Sequence, residues 1–353
     1  MLIVNMQDKS SEKTPAHETD GPRAVRRLTP PQWLEALQRL RFPYQAHYLA
    51  MYASDLDAIV TDPALMRVPI DDHMVHRGDG VFEVCKCVRQ AVYNFEAHLA
   101  RLEHSAAAID LKWQGGRDAI RARCLETLRA AGCAEGVLRI LLSRGPGGFG
   151  VDPYECPAPS LYIVVTTLTA PFMTRHPEGA TVRRSRIPAK PAWVAGVKNC
   201  NYLPNVLMKK EAVEMGVDFV VGIDHNGCLT EGATENVGIV TREGELRFPR
   251  LDQVLRGTTM DRVLALAQSL VDAGRLRGVA FGDIPESMVR EAPEMVLAGT
   301  SINVVAVRDY EGRPVGTGRP GPVWAALDAC LRNDVERNAA LRTPFGTGAC
   351  GRV

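Results

Sequence analysis

The sequence has almost no net charge: 42 Lys and Arg stand against 41 Asp and Glu, leaving +1 over 353 residues. That balance provides no field to draw the chain toward nucleic acid or an anionic membrane, and neither is expected as a partner. Long apolar runs are missing too. No stretch approaches the ~20 residues that cross a bilayer, so no membrane span is expected. The nine cysteines are odd in number and contain no C-x-x-C pair, so neither a disulfide framework nor a zinc site is indicated and no metal is expected. Reduced thiols in a cytoplasmic compartment are the expectation. The opening MLIVNMQDKSSEK lacks a signal peptide's longer apolar core and small-residue cleavage site. Its acidic residues argue only weakly against a transit peptide, so organelle targeting by the N-terminal extension stays open. There is no internal repeat.

What is present is an ordinary globular composition, 46% hydrophobic and 24% charged, and a length that suggests two domains. Residues 1–45 read as an N-terminal extension, polar and without periodicity until Trp33, Leu37 and Leu40 fall at helical spacing. Residues 46–168 read as a small domain. HYLAMYAS with DAIVTD, and GVFEVCKCVRQAVYNF, have the pattern of hairpins. EAHLARLEHSAAAI and RDAIRARCLETLRAAG have that of helices, the second ending at Gly132. VLRILLSRG and SLYIVVTTL read as buried strands flanking a glycine-rich loop. Residues 169–179, TAPFMTRHPEG, carry two prolines and read as an interdomain linker. Residues 180–335 form a larger domain, with strands at TVRRSRI, DFVVGID and NVGIVT and helices near 203–215, 258–273 and 321–334. Residues 336–353 read as a flexible tail. Strands and helices mixed through two lobes make the fold α/β or α+β.

Four separated segments carry the chemistry: DDHMVHRGDGVFEV (71–84), VKNCNYLPNVLMKKEA (197–212), LTEGATENVGIV (229–240), and the pair RGTTMDRVLALA (256–267) with LAGTSINVVAV (297–307). In this order and spacing the chain resembles the class IV aminotransferases, enzymes of the two-domain fold-type IV that use pyridoxal 5'-phosphate (PLP). The family includes branched-chain aminotransferase, D-amino acid aminotransferase and aminodeoxychorismate lyase. The resemblance runs from about Met51 to about Val307. Each motif alone is modest; four in order carry the identification.

The resemblance implies roles residue by residue. Lys198 is similar to the lysine that bonds the cofactor aldehyde and shuttles the catalytic proton. That work needs an amine whose pKa is lowered by burial or a nearby cation, and the neighbouring Asn199, Cys200 and Asn201 carry no charge. Glu231 resembles the carboxylate that pairs with the pyridine nitrogen and keeps the ring an electron sink. Tyr202 resembles the tyrosine that hydrogen-bonds the cofactor's phenolic oxygen. For the phosphate, Arg77 offers a planar fork, Gly257, Thr258 and Thr259 open a helix, and Thr300 adds a hydroxyl. Each has a plainer reading: a strand-end lysine, a solvated glutamate in a TEG turn, a core tyrosine, an ordinary helix cap.

SRGPGGFG (143–150) invites comparison with a dinucleotide loop, and hence with a nicotinamide-linked oxidoreductase. VDPYECPAPS follows it, and no helix opens there, so the loop reads as substrate-side. Phe149, Ser301 and Arg139 are the candidate substrate contacts. Arg139 lies on the apolar strand VLRILL and parallels an arginine that binds acidic groups in the branched-chain type; a structural carboxylate is its plainer partner. The arginine and histidine that hold the substrate carboxylate in bacterial D-amino acid aminotransferases are replaced by Phe149 and Val151. The overall pattern is most similar to the plant-type D-amino acid aminotransferases, also described as aminodeoxychorismate lyases, which generally have aspartate where this chain has Glu83. The expectation is therefore a homodimeric transaminase moving an amino group between an amino acid, D-configured by preference, and a 2-keto acid. A pyruvate-releasing lyase, a branched-chain L-amino acid aminotransferase and a PLP carrier without turnover are the alternatives.

Overall fold

The computed structural model describes residues 25–346. The first 24 residues of the extension, read as polar and without periodicity, therefore lie outside the described residues.

The helix expected at the end of the extension forms as α1 (Pro30–Arg39), and none of its residues is buried. The small lobe is then an antiparallel sheet with two helices on one face. Its elements are β1 (Tyr48–Ala53), β2 (Ala58–Val60), the short α2 (His73–Arg77), β3 (Gly80–Val88), β4 (Ala91–Tyr93), α3 (Phe95–Ala108), α4 (Gly116–Ala131), β5 (Gly136–Ser143) and β6 (Ser160–Thr166). β3 and β4 reverse at Arg89 and Gln90, both at positive φ (50° and 57°), the geometry of a tight hairpin. Leu99, Leu102, Ile120, Cys124 and Leu128 of the helices close a core over Cys85, Leu138, Ile140 and Ile163 of the sheet. Strand alternation puts Phe82, Val84 and Arg139 on the opposite face, with Val84 paired to Arg139 in register. The last strand, β16 (Arg342–Pro344), pairs antiparallel with β4 and completes seven strands in the order β16-β4-β3-β5-β6-β1-β2. This corrects the expectation of a flexible tail from residue 336: Arg342 donates to the Val335, Val88 and Arg89 carbonyls, and Phe345 is buried in the small-lobe core. Residues 347–353 lie outside the described part.

The segment expected as a linker contains α5 (Phe172–Arg175), and Phe172 is 2% exposed within the core of the second lobe. The linker is thus anchored, because an apolar ring between its prolines finds a partner in Phe219. The second lobe continues with β7 (Ala180–Arg184), α6 (Ala192–Ala195), α7 (Leu203–Glu214), β8 (Phe219–Ile223), β9 (Leu229–Gly232), β10 (Asn236–Val240), β11 (Glu245–Phe248), α8 (Thr258–Asp272), β12 (Gly278–Phe281), α9 (Glu286–Glu291), β13 (Glu294–Gly299), β14 (Asn303–Tyr310), β15 (Arg313–Pro314) and α10 (Pro322–Arg337). The strands run β10-β13-β14-β7-β8-β9, and β9 pairs back to β10 through Glu231 and Asn236, so the sheet closes on itself. Val182, Val221, Val237, Leu297 and Val305 share the core of this ring, while Leu270, Leu327 and Leu331 of α8 and α10 join a second core on its outside. Closure matters for function: it fixes Glu231 at a seam facing the small lobe.

Candidate active site

A cavity of about 230 Å³ opens between the lobes, with Phe82, Val84, Arg101 and Arg139 on the small-lobe side. Lys198 enters it from the segment between α6 and α7. That segment is clamped to the start of β3: the Phe82 amide donates to the Lys198 carbonyl at 2.9 Å, and the Cys200 amide to the Gly80 carbonyl at 2.9 Å. The Lys198 amide donates to Ser105 Oγ at 3.1 Å. Lys198 Nζ lies 4.6 Å from the centroid of the Phe82 ring and 5.8 Å from that of Tyr202. Burial, reinforced by the nearby Arg101 cation, lowers the amine to about 8. An amine so placed keeps a neutral fraction near physiological pH and can act as nucleophile and base.

Across the cavity, both oxygens of Glu231 are held. Lys190 Nζ donates to Oε1 at 3.0 Å and the Leu255 amide to Oε2 at 3.0 Å. The side chain is 14% exposed. Tyr202 stands at the N-terminus of α7, edge-on to Phe82 at 5.0 Å between centroids. Burial, with the Glu231 carboxylate next in importance, pushes its phenol up, so it remains a hydrogen-bond donor.

The anion-binding end is built on α8. No side chain caps this helix at Gly257, and Thr258, Thr259 and Thr300 line the cavity beside it. Uncapped first-turn amides present donors and a partial positive charge to an anion. A side chain at Gly257 would displace that of Asn236, whose Oδ1 stands 1.8 Å from where a Cβ would lie. Ser301 also lines the cavity, on the same β13–β14 turn as Thr300.

Arg77 is not brought to this end. Its guanidinium donates to the carbonyls of Gly150 and His76 at 2.8 and 2.9 Å and to that of Phe149, outside the cavity. The physical reason is local: α2 stops at Gly78 (φ 69°), which turns the preceding side chain onto the glycine-rich loop. The cavity's arginine here is Arg101 of α3, which sequence reasoning missed. Its Nε and Nη2 grip the two oxygens of Glu83 at 2.7 and 2.9 Å, and Nη1 reaches the Arg256 carbonyl at 2.9 Å. Glu83 is fully buried and also accepts from His98 Nδ1 at 2.7 Å. Against the upward push of burial, the Arg101 guanidinium, helped by the His98 hydrogen bond, holds its carboxyl down to about 2. The signal was available: Arg101 follows His98 by one turn on the stripe that carries Phe95, Leu102 and Ser105 into the interior.

Arg139 does reach the cavity. It donates to Thr166 Oγ1 at 2.8 Å and forms no ion pair among the described residues, so the structural carboxylate considered for it is not there. Burial lowers its pKa. Phe149 does not reach this cavity: it is 62% exposed and lies against His76 at 5.2 Å.

Residues 80–310 match the family described as Amino-transferase class IV. The chain belongs to that family. It is similar to the chloroplastic D-amino-acid transaminase of Arabidopsis thaliana, 39% identical over 289 residues, 82% of this chain and 77% of that protein. It is also similar to a putative branched-chain-amino-acid aminotransferase of Methanocaldococcus jannaschii, 29% identical over 283 residues, 79% of this chain and 93% of that protein. Among solved structures, the branched-chain amino acid aminotransferase of Escherichia coli superposes with a TM-score of 0.76 at 22% identity, covering 85% of this chain and all of that one. The fold is therefore fold-type IV. The chain is a PLP-dependent class IV aminotransferase, and its cavity fits the cofactor. A buried low-pKa amine, a fixed carboxylate, a protonated phenol and an uncapped helix N-terminus match an aldehyde, a ring nitrogen, a phenolic oxygen and a phosphate in turn. No helix among the described residues is long and apolar enough to cross a membrane.

Proposed function

We propose that the enzyme transfers the amino group of a D-amino acid to a 2-keto acid at this cavity. The observation that carries the chemistry is the placement of Lys198 and Glu231 on one cavity, the amine lowered to about 8 and the carboxylate fixed by Lys190 and Leu255. PLP, when bound, supplies the electron sink that makes the substrate's α-proton removable. Lys198 Nζ takes that proton and returns it. Glu231 would hold a proton on the ring nitrogen, and Tyr202 Oη would donate to the phenolic oxygen. Arg101, Thr258, Thr259 and Thr300 would hold the phosphate, a role Arg77 would not share. Ser301 and Arg139 face the substrate. The D-amino acid preference is supported by the similarity to the Arabidopsis transaminase. A second reading, a branched-chain L-amino acid aminotransferase, is favoured by Arg139, an arginine on the cavity wall that bonds Thr166 Oγ1 and has no ion pair among the described residues.

A homodimer is part of the proposal. It is supported by the exposure of Phe149, Val151 and Tyr154 on the glycine-rich loop and of Ile70 and Val75 beside α2, apolar side chains that a second subunit would cover. A cytoplasmic compartment belongs to the proposal as well, with organelle targeting by the N-terminal extension as the alternative that the similarity to a chloroplastic transaminase raises.

The test is to incubate the PLP-loaded protein separately with D-alanine, L-leucine, L-glutamate and aminodeoxychorismate, following the cofactor spectrum and pyruvate. The D-specific transaminase reading requires a spectral response to D-alanine that needs no second substrate, and catalytic transfer to a keto acid. A response to L-leucine alone supports the second reading. Pyruvate from aminodeoxychorismate without a keto acid acceptor identifies a lyase, and PLP binding with no response to any of the four identifies a carrier.

A further inference from the structure

Lys86 is a buried ammonium with no role in the chemistry above. It lies on β3 in the alternation of Phe82 and Val84, so it points to the same side of the sheet, and it is 5% exposed. Its Nζ donates to Asn303 Oδ1, on the first residue of β14. Lys86 forms no ion pair among the described residues. The carboxylate that acts on it, Asp328, is itself paired with Arg332 at 3.1 Å. A buried cation in that condition is costly unless an anion comes to it.

Its position says which anion. Lys86 lines a small cavity together with Thr258, Thr259 and Thr300, the same three threonines that line the anion-binding end of the main cavity. The ammonium thus lies across these threonines from the main cavity, in the space that His98, 3.3 Å from Thr258 Oγ1, also lines. The charge balance on the other side of these threonines is closed: Arg101 grips Glu83 at two points, and burial holds His98 toward its neutral form. Arg101 and Glu83 therefore sum to no net charge, and a phosphate dianion placed there meets directional donors but little uncompensated positive charge. Lys86 provides it.

We propose that Lys86 is the counter-charge for a phosphate monoester seated on Thr258, Thr259 and Thr300, a positioning residue of the phosphate site that acts from behind the threonines. This rests on the reading of the main cavity as the cofactor site. It explains why β3, whose other buried charge Glu83 is paired with Arg101, buries at this register a lysine with no ion pair among the described residues, and why its partner on β14 is a neutral amide that leaves the charge available.

The test uses the full chain stripped of cofactor and measures binding by calorimetry of PLP, of pyridoxal, which lacks the phosphate, and of inorganic phosphate. Lys86→Met, with Lys86→Gln as the second neutral variant, is expected to bind PLP and inorganic phosphate about tenfold more weakly than the wild type, because one unit charge is removed from a poorly screened site. Pyridoxal binding is expected to stay unchanged, and the melting temperature to equal or exceed the wild-type value. Equal losses for PLP and pyridoxal would make Lys86 a structural residue and overturn the proposal. So would unchanged binding of all three. If the wild type itself binds neither PLP nor pyridoxal, the cofactor reading fails, and that outcome is distinct from all of these.

Discussion

Replacing Lys198 by methionine should stabilise the cofactor-free protein while removing its function. The side chains are similar in length, so the substitution leaves the packing against Phe82 and Tyr202 in place and deletes the charge. The amine's value falls from 10.5 to about 8 on folding, chiefly through burial and then through Arg101. At ~1.4 kcal/mol for each pH unit, the lysine costs the folded state about 3 kcal/mol when protonated. The sign follows from proton binding. Between about pH 8 and 10.5 the unfolded chain holds the proton that the folded chain has released, so stability rises with pH across that window. Below about 8 both states are protonated and the full cost is present. Urea unfolding of wild type and Lys198→Met at pH 7 and pH 10 therefore gives two numbers. The variant should be more stable by about 2–3 kcal/mol at pH 7, and that advantage should shrink toward pH 10. Comparing the two proteins removes the contribution of Lys86, which burial also lowers to about 8 and which titrates in both. Equal stability at pH 7, or an advantage that does not change with pH, would show that Lys198 is not a desolvated amine and would remove the basis for its role as base.

The two arginines should separate cleanly. Arg101→Ala should weaken PLP binding roughly 10- to 150-fold, the value of one charge-assisted phosphate contact, and should destabilise the fold by leaving Glu83 buried and unpaired. Arg77→Ala should leave PLP affinity unchanged; equilibrium dialysis with both variants decides, and the reverse order would restore Arg77 to the phosphate. Glu231→Gln should retain PLP yet lower the rate of amino transfer by orders of magnitude, and a wild-type rate in the loaded variant would remove Glu231 from the ring nitrogen. Arg139→Leu should raise KM for α-ketoglutarate and glutamate far more than for pyruvate and alanine. Equal rises would place Arg139 on the α-carboxylate, and no rise would leave it structural.

Much of this site was legible because its residues sit at punctuation points that sequence displays. Lys198, Glu231, Gly257 and Thr300 lie where a segment ends or turns, flanked by glycines, asparagines or a change of period, and the structure places each on the cavity wall. Arg77 was misplaced for the same reason. An arginine before a glycine looks exposed and available, and nothing in the sequence tells that Gly78 turns α2 away from the cavity. Arg101, Lys86 and Lys190 went unread because each is one charge inside an otherwise regular pattern. A charge in a helical stripe, on an alternating strand or between two prolines is usually solvated, and its burial is decided by partners far along the chain: Arg256, Asn303 and Glu231. The main strands and helices followed their periodicities. Closure of the second sheet did not, because it depends on a single pairing between Glu231 and Asn236 across a loop that reads only as a turn. The tail was read as flexible because Arg342–Pro344 is too short to show alternation, and its order comes from the open edge of β4.

The central claim is that Lys198 carries the cofactor in a transaminase. Borohydride reduction of the PLP-loaded protein followed by peptide mapping tests it most directly. The account predicts a single pyridoxyl phosphate adduct on the peptide containing Lys198. It also predicts loss of that adduct when an amino donor converts the cofactor to its amine form before reduction. An adduct on Lys190 or Lys86, or one on Lys198 that no amino donor can prevent, would contradict it.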